Sequence, residues 1–292
     1  MNKPSWSEQV IEAAPTGTLR VRVWGPAKAR MPVAVHLHGG AFGGSLDTGR
    51  LVAEVLSQAG ATVLDLDYPT GPAHPFPQAL EAAYDALRWI EGLPGHRRKL
   101  FVAGEESGGN LAAALALVAR DRRAPVLSGQ ILLSPMLDPQ LATCSVRDAD
   151  AGAAGCKWAD GWRAYLGTPD KACHPYAAPA IVQRLAGLPP ALVLTGPDDP
   201  MHDEAQAYAD RLRASGVPAT CRAIRSGGPW PDALMTPVQA EAAWCAPWCA
   251  PWCAPWCAEV RDAVAAFFQT PDPRPDPRPD LRPDLRPLGA KS

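Results

Sequence analysis

Two glycine-rich segments of the chain have residue types and a spacing that could stabilise a negative charge and present a nucleophile. The segment His38–Ser45 (HGGAFGGS) comes directly after the short apolar run Val33–His38. Glycines at such a place let backbone amides approach a bound oxyanion, as they do in an HGGG-type loop. The segment Phe101–Asn110 (FVAGEESGGN) predicts a strand, a tight turn and the start of a helix. That order of elements is typical of a nucleophile elbow.

The elements that must hold these loops alternate between strand-like and helix-like patterns. The predicted strands are Thr18–Trp24, Val33–His38, Thr62–Asp67, Lys99–Gly104, Ser128–Ser134, Leu192–Thr195 and Ala219–Ile224. The predicted helices are Leu46–Gln58, Pro77–Glu91, Gly108–Arg120 and His202–Ser215. This alternation predicts an α/β domain with a mainly parallel sheet and with Thr18–Trp24 as an edge strand. The weakly patterned stretch Met136–Pro190 predicts an insertion over one end of the sheet, in which Trp158 and Trp162 serve packing.

The composition excludes several classes of function. The formal net charge is -2 and 47% of the residues are apolar, whereas a nucleic-acid binder normally has a basic face. No apolar run approaches the roughly 18 residues that a membrane span needs. The segment Met1–Val10 lacks the apolar stretch of a secretory signal. We therefore expect a cytoplasmic protein without a cofactor, a metal, or a membrane or nucleic-acid partner.

A four-residue repeat contributes half of the cysteines. The segment Trp244–Cys257 (WCAPWCAPWCAPWC) holds four of the eight cysteines and four of the ten tryptophans. Its spacing does not match the usual zinc pattern of C-x2-C pairs or of cysteine with histidine. Removal of three repeat units leaves EAAWCAEVRDAVAAFF, in which Trp244, Val260, Val264 and Phe267 recur at helical spacing. The repeat is therefore predicted to be an expansion inside a terminal helix.

A second repeat makes up the end of the chain. The segment Pro271–Leu288 (PDPRPDPRPDLRPDLRPL) alternates proline with aspartate and arginine. Such a sequence cannot form a helix interior and favours an exposed polyproline II extension. The chain is thus predicted to divide into one domain, residues 1–270, which contains the insertion 244–257, and a disordered tail, residues 271–292.

Four motifs of the chain resemble those of one esterase family. The hormone-sensitive-lipase-like carboxylesterases carry HGGG, DYRLAPEHPFP, GDSAGGN and DPLRDE in this order. Here the same places hold HGGAFGGS, DYPTGPAHPFP, GEESGGN and DDPMHDE. The resemblance spans roughly Thr18 to Gly216. It implies the α/β-hydrolase fold, with a mainly parallel central sheet flanked by helices, and ester hydrolysis by a serine, a histidine and an acid. The short segment before the first predicted strand implies a reduced cap.

The nucleophile position departs from the family pattern. When GEESGGN is aligned with GDSAGGN, the serine position falls on Glu106 and the following position on Ser107. The resemblance assigns the amide of Ser107 to the oxyanion hole. An alternative register makes Ser107 the nucleophile, but it places Glu105 where the tight turn needs a small residue. The sequence favours Glu106 at the nucleophile position.

The base of the family triad is also absent. The resemblance places the acid at Asp199 and the base in an HGF context some 25–30 residues later, which here falls in Ser226–Trp230 (SGGPW), with Pro229 at the histidine position. No histidine follows His202. Because a serine hydroxyl needs a base to remove its proton, this chemistry fails. Without a histidine partner, Asp199 is expected to cap a loop or helix. The remaining candidates for the base are His36, His38 and His74.

The glutamate at the elbow has a possible role of its own. A helix N-terminus favours an anion. We therefore expect Glu106 to fill the oxyanion hole by accepting the amides of Gly39, Gly40 and Ser107, with a solvated Glu106 in an unused cleft as the alternative. His38 is expected to make structural hydrogen bonds.

Three functions remain open at this point. The first is a catalytically inactive α/β-hydrolase that binds a small acyl or apolar ligand or a protein partner. The second is a serine esterase for short acyl esters that uses Ser107. The third is a non-hydrolytic enzyme on the same scaffold. The missing triad members favour the first.

Overall fold

Eight strands form one sheet in the computed structural model, which describes residues 6–13, 15–25, 31–93, 98–148, 152–224 and 255–271. The strands are β1 Trp6–Ala13, β2 Gly17–Trp24, β3 Val33–Leu37, β4 Thr62–Leu66, β5 Leu100–Glu105, β6 Gly129–Leu133, β7 Ala191–Thr195 and β8 Ala219–Ala223. Their order across the sheet is β1-β2-β4-β3-β5-β6-β7-β8. Strand β2 is antiparallel to both of its neighbours, and the pairs from β4 to β8 are parallel. The predicted α/β-hydrolase fold with a mainly parallel sheet is confirmed.

Helices cover both faces of this sheet. They are α1 Arg50–Gln58, α2 Gln78–Glu91, α3 Ser107–Arg122, α4 Cys144–Asp148, α5 Gly152–Leu166, α6 His202–Ala214 and α7 Pro255–Gln269. Apolar side chains of α1 and α7 form the core on one face. Those of α2, α3, α5 and α6 form the core on the other face. Every residue of β3 to β7 is buried, which explains the continuous apolar runs of these strands.

The prediction of an edge strand at Thr18–Trp24 is wrong. The edge of the sheet is β1, which pairs antiparallel with β2 along its whole length. Of the eight residues of β1, only Ile11 and Ala13 are buried. A strand that buries so few side chains lacks the alternation on which the sequence prediction relied.

The weakly patterned stretch after β6 lies over the carboxyl ends of the strands. It contains α4, α5 and two short 3-10 turns, Pro169–Cys173 and Pro179–Ile181. Helix α5 packs Trp162 and Tyr165 against Phe42, whose ring stacks on that of Tyr165 with centroids 4.0 Å apart. The insertion thus covers the glycine-rich loop that follows β3.

The terminal helix begins inside the last unit of the cysteine repeat. Helix α7 starts at Pro255 and buries Trp256, Cys257, Val260 and Val264. Trp256 therefore follows the helical spacing that the shortened sequence assigns to Trp244. The rest of the repeat, Pro229 and the tail beyond residue 271 lie outside the described residues, so their predicted roles stay predictions.

Within the described ranges, no helix is both long and apolar enough to cross a bilayer.

Candidate active site

A strained turn between β5 and α3 brings Glu106 to the centre of the site. Glu106 has φ 50° and ψ -116°, a backbone conformation that non-glycine residues rarely adopt. The residue before it ends β5, and Ser107 is the first residue of α3. Outliers of this kind cluster at functional sites because the surrounding structure must hold them in place. The apex of the turn is therefore Glu106 rather than Ser107.

Two glycines make this turn sterically possible. A Cβ atom on Gly104 would lie 2.3 Å from the carbonyl oxygen of Gly108. A Cβ atom on Gly108 would lie 1.9 Å from the carbonyl oxygen of Leu37, in the neighbouring strand. Both distances are far below any real contact, so only glycine fits. These two positions flank Glu106 symmetrically, which is the spacing of a G-x-S-x-G elbow.

The side chain of Glu106 points into the glycine-rich loop and is wholly buried. Its Oε2 accepts hydrogen bonds from the amides of Gly40 (2.5 Å), Ala41 (2.7 Å) and Ser107 (3.3 Å). The hydroxyl of Ser107 accepts from the amide of Phe42 (3.0 Å) and donates to the same oxygen (3.1 Å). Every partner of Oε2 is a donor, which is the arrangement that stabilises an anion.

The backbone of the loop turns so that two consecutive amides converge on one oxygen. Gly40 has φ 108° and Ala41 has φ 50°. Such left-handed positions direct successive N–H groups into one concavity that binds anions.

The prediction that Glu106 accepts a hydrogen bond from the amide of Gly39 is wrong. The Gly39 amide instead donates to Oε1 of Glu105, at 2.8 Å. The reason is geometric, because Gly39 lies just beyond the end of β3 and ahead of the turn at Gly40. Ala41, which the sequence did not single out, supplies the second amide for Glu106.

Helix α5, in the insertion that follows β6, holds the second carboxylate oxygen of Glu106. The indole N–H of Trp158, on α5, donates to Oε1 of Glu106 at 2.9 Å. The helix lies so close to the loop that a Cβ atom on Gly161 would be 2.3 Å from the carbonyl oxygen of Ala41. Trp158 was expected only to pack, and its donor role is new. A hydrogen bond to a charged acceptor of this kind typically contributes about 1.5–3 kcal/mol.

A buried histidine links two carboxylates beside the loop. His36 Nδ1 lies 2.8 Å from Asp65 Oδ1, and His36 Nε2 lies 2.7 Å from Glu105 Oε2. All three side chains are fully buried. Burial by itself would lower the pKa of His36, but the two carboxylates outweigh it and raise the pKa to about 10. His36 is therefore a protonated partner of two acids and has no free nitrogen with which to act as a base.

His38 makes the structural contacts that were expected of it. Its Nδ1 contacts the carbonyl oxygen of Gly39 at 3.1 Å, and its ring stacks on Tyr68 with centroids 4.3 Å apart. The hydroxyl of Tyr68 donates to the carbonyl oxygen of His38 at 2.5 Å. Burial lowers the pKa of His38, which favours the neutral form of its ring.

Asp199 lies in the loop after β7, where its carboxylate holds the backbone. Its Oδ2 accepts from the hydroxyl of Thr195 at 2.6 Å, and its Oδ1 accepts from the amide of Met201 at 2.9 Å. Burial raises the pKa of Asp199. No histidine of the described ranges hydrogen-bonds to it, since the nearby His202 contacts the carbonyl oxygen of Gly196 instead. These contacts fix the loop that leads from β7 into α6.

Asp203 and Glu204 lie in the first turn of α6. Glu204 is buried, and its Oε2 accepts the amides of Leu137 (2.7 Å) and Asp138 (2.8 Å). Burial raises the pKa of Glu204 to about 8, against the lowering effect of these two donors.

The raised pKa values of His36 and Glu204 predict that the protein loses stability at alkaline pH. The ordinary values are 6.5 for histidine and 4.5 for glutamate, so the native state holds protons that the unfolded chain has released. Stability therefore falls as the pH rises, by about 1.4 kcal/mol per pH unit for each such proton. Both groups reduce the free energy of unfolding as the pH rises from 6.5 to 8, and His36 continues to reduce it up to about pH 10. Urea denaturation at pH 6, 7, 8 and 9 measures this slope.

The variant Glu204→Gln is the control for that measurement. It should reduce the slope below pH 8 and leave the slope above pH 8 unchanged. A free energy of unfolding that is constant or rises from pH 6.5 to 9 would contradict the assignment.

Comparisons with known proteins place this geometry in a family. Residues 34–227 match the sequence model of a family described by its α/β-hydrolase fold. The carboxylesterase NlhH of Mycobacterium tuberculosis is 35% identical over 210 residues, which cover 68% of this chain and 66% of that protein. The arylesterase of Saccharolobus solfataricus is 32% identical over 210 residues, which cover 68% of each. The chain thus matches about two thirds of the length of these relatives.

Solved structures agree with this result. A thermostable esterase from Pseudomonas putida superposes with a TM-score of 0.77 at 29% identity and covers 92% of this chain and 84% of its own. An esterase from Pyrobaculum calidifontis gives a TM-score of 0.75 at 32% identity, with coverage of 90% and 84%.

Proposed function

This chain belongs to the α/β-hydrolase family of carboxylesterase-like proteins, and we propose that it is a member that binds a ligand or partner without hydrolysing an ester. The observation that carries the proposal is the hydrogen bonding of Glu106 to the loop amides. An esterase needs these donors for the oxyanion of its transition state. Here they are already occupied by a side chain of the protein itself.

The glutamate side chain has the same covalent frame as an acylated serine. In an ester of serine, Cβ is followed by the ester oxygen, the carbonyl carbon and the carbonyl oxygen. In Glu106, Cβ is followed by Cγ, Cδ and Oε2, and Oε2 accepts the amides of Gly40 and Ala41. Oε1, bonded to Trp158, takes the place of the first atom of the acyl group. Glu106 therefore acts as a permanent mimic of the acyl-enzyme, with a C–C bond that water cannot cleave.

The residues around the acid position support an inactive site. Asp199 is engaged by Thr195 and Met201, and the sequence has Pro229 at the place of the base. Without an imidazole at that position, an attacking hydroxyl or water lacks the base that the family triad supplies.

The filled oxyanion hole also restricts the ligand. A carbonyl group cannot take donors that Glu106 already uses, so a bound ligand must rely on apolar contacts. We therefore propose a small apolar or acyl-chain ligand, or a side chain of a protein partner, in place of a reactive ester. Phe42, Trp162 and Tyr165 form a buried aromatic cluster beside the loop.

A second candidate is an esterase that uses Ser107. The observation in its favour is the 3.1 Å hydrogen bond from Ser107 Oγ to Glu106 Oε2, a carboxylate that could accept its proton. Against it, Ser107 is fully buried, and the same carboxylate fills the oxyanion hole.

Hydrolysis of p-nitrophenyl acetate and butyrate separates the two candidates. We expect the wild-type protein and the variant Ser107→Ala to give the same rate as a buffer blank. A fluorophosphonate probe should label neither of them. Turnover by the wild-type protein that disappears in Ser107→Ala would overturn the proposal and establish the serine esterase.

A further inference from the structure

Three side chains on adjacent strands form a continuous chain of contacts that ends at the glycine-rich loop. Asp65 is on β4, His36 on β3 and Glu105 on β5, and these strands are neighbours in the sheet. The distances along the chain are 2.8 Å and 2.7 Å, and all three side chains are fully buried. The remaining oxygen of Glu105 accepts the amide of Gly39 at 2.8 Å.

We propose that this Asp65–His36–Glu105 chain is a positioning network that sets the amides of Gly40 and Ala41 against the carboxylate of Glu106. Glu105 holds the amide directly before Gly40, so its place fixes where the turn of the loop begins. His36 in turn fixes Glu105, because its second nitrogen is anchored by Asp65. The network does not depend on whether the site hydrolyses an ester.

The loop is held from a second side by Tyr68, and this contact shows that its position is closely determined. Tyr68 donates to the carbonyl oxygen of His38 while Glu105 accepts from the amide of Gly39. Together these contacts bind the two polar groups of a single peptide unit, the one between His38 and Gly39. A peptide unit that is bound at both ends cannot rotate, so the following amides keep their direction.

The start of helix α1 packs tightly against the network. A Cβ atom on Gly49, at the start of α1, would lie 2.5 Å from His38 Cβ and 2.8 Å from His36 Cε1. It would also lie 3.1 Å from Glu105 Oε1. The chain thus needs a glycine here for helix α1 to cover His36 and Glu105.

The length of the glutamate distinguishes this network from the family pattern. The motif GDSAGGN has an aspartate where this chain has Glu105. Glu105 contacts His36 with one oxygen and Gly39 with the other. An aspartate is one methylene shorter and is expected to keep one of these contacts at the expense of the other.

Amide hydrogen exchange by NMR tests the proposal in the full-length protein. In the variant Glu105→Gln, the side chain keeps one acceptor oxygen for two donors, His36 Nε2–H and the amide of Gly39, and its NH2 group must face the other donor. Exchange at Gly39, Gly40 and Ala41 should therefore accelerate by about tenfold or more. Exchange in α3 should be unchanged. Glu204→Gln, which replaces another buried carboxyl group that accepts backbone amides, is the matched control and should leave the loop amides unaffected. Unchanged loop exchange in a folded Glu105→Gln variant would overturn the proposal.

The ring nitrogens of His36 provide a second measurement, which needs no variant. Nitrogen-15 chemical shifts at pH 7.5 should show both nitrogens protonated in the wild-type protein. The variant Glu105→Asp, which keeps the charge, should retain this signature, and Glu105→Gln should lose it. A neutral His36 in the wild-type protein would overturn the proposal even if Glu105→Gln failed to fold.

Discussion

The double variant Glu106→Ser/Pro229→His is expected to hydrolyse p-nitrophenyl butyrate at least ~10²-fold faster than either single variant. Glu106→Ser frees the amides of Gly40 and Ala41 for an oxyanion and restores a hydroxyl at the apex of the turn. That hydroxyl remains a poor nucleophile until a base is present. Pro229→His supplies the base at the position that the family pattern assigns to it. Because the two groups act as a unit, the gain should appear only when both are present.

Asp199 provides the control for this experiment. Its carboxylate is already placed after β7, and a histidine at position 229 would give it the partner that the triad requires. Asp199→Asn in the double variant should remove most of the regained rate. Equal rates in the double variant and in Glu106→Ser alone would contradict the assignment of Pro229 to the base position.

Glu106→Gly is expected to have the largest effect on stability. The substitution removes the acceptor of three backbone amides, one hydroxyl and one indole N–H. Buried donors without an acceptor are costly, and we expect the free energy of unfolding in urea to fall by about 3 kcal/mol or more. Glycine adopts the positive φ of this position without strain, so backbone strain in the folded state cannot account for the loss.

Glu106→Gln is the matched control for that loss. It keeps the size of the side chain but has only one acceptor oxygen, and its amino group must face either the loop amides or the indole of Trp158. We expect it to be less stable than the wild-type protein but more stable than Glu106→Gly. A Glu106→Gly variant that is as stable as the wild-type protein would show that the carboxylate does not matter to the loop.

The elements that the sequence predicted well are those with a strong local pattern. The buried parallel strands and the glycines at positions 104 and 108 follow from apolar runs and from steric need, and both are visible in the sequence. The same local reasoning placed Glu106 at the turn, since only that register keeps the glycines in place. Strand β1 was missed because it buries just two residues and so has almost no pattern.

The contacts that the sequence did not predict are all between distant segments. Trp158 is one of ten tryptophans, and nothing in its neighbourhood indicates that its indole reaches Glu106. The pairing of His36 with Asp65 and Glu105 depends on the order of strands β4, β3 and β5, which the sequence does not specify. Two positive φ angles in the loop cause the amide of Ala41, and not that of Gly39, to donate to Glu106. The residue type alone does not indicate that an alanine will adopt a positive φ.

Rescue of Glu106→Gly by acetate tests the central claim, that the carboxylate of Glu106 fills the oxyanion hole. Acetate has the same heavy atoms as the Cγ, Cδ, Oε1 and Oε2 group that the substitution removes. We predict that ~100 mM acetate, compared with chloride at equal ionic strength, stabilises the variant by about 1 kcal/mol or more in thermal unfolding. The wild-type protein, whose site is occupied, should not respond. Equal stabilisation of both proteins by acetate, or of neither, would contradict the claim.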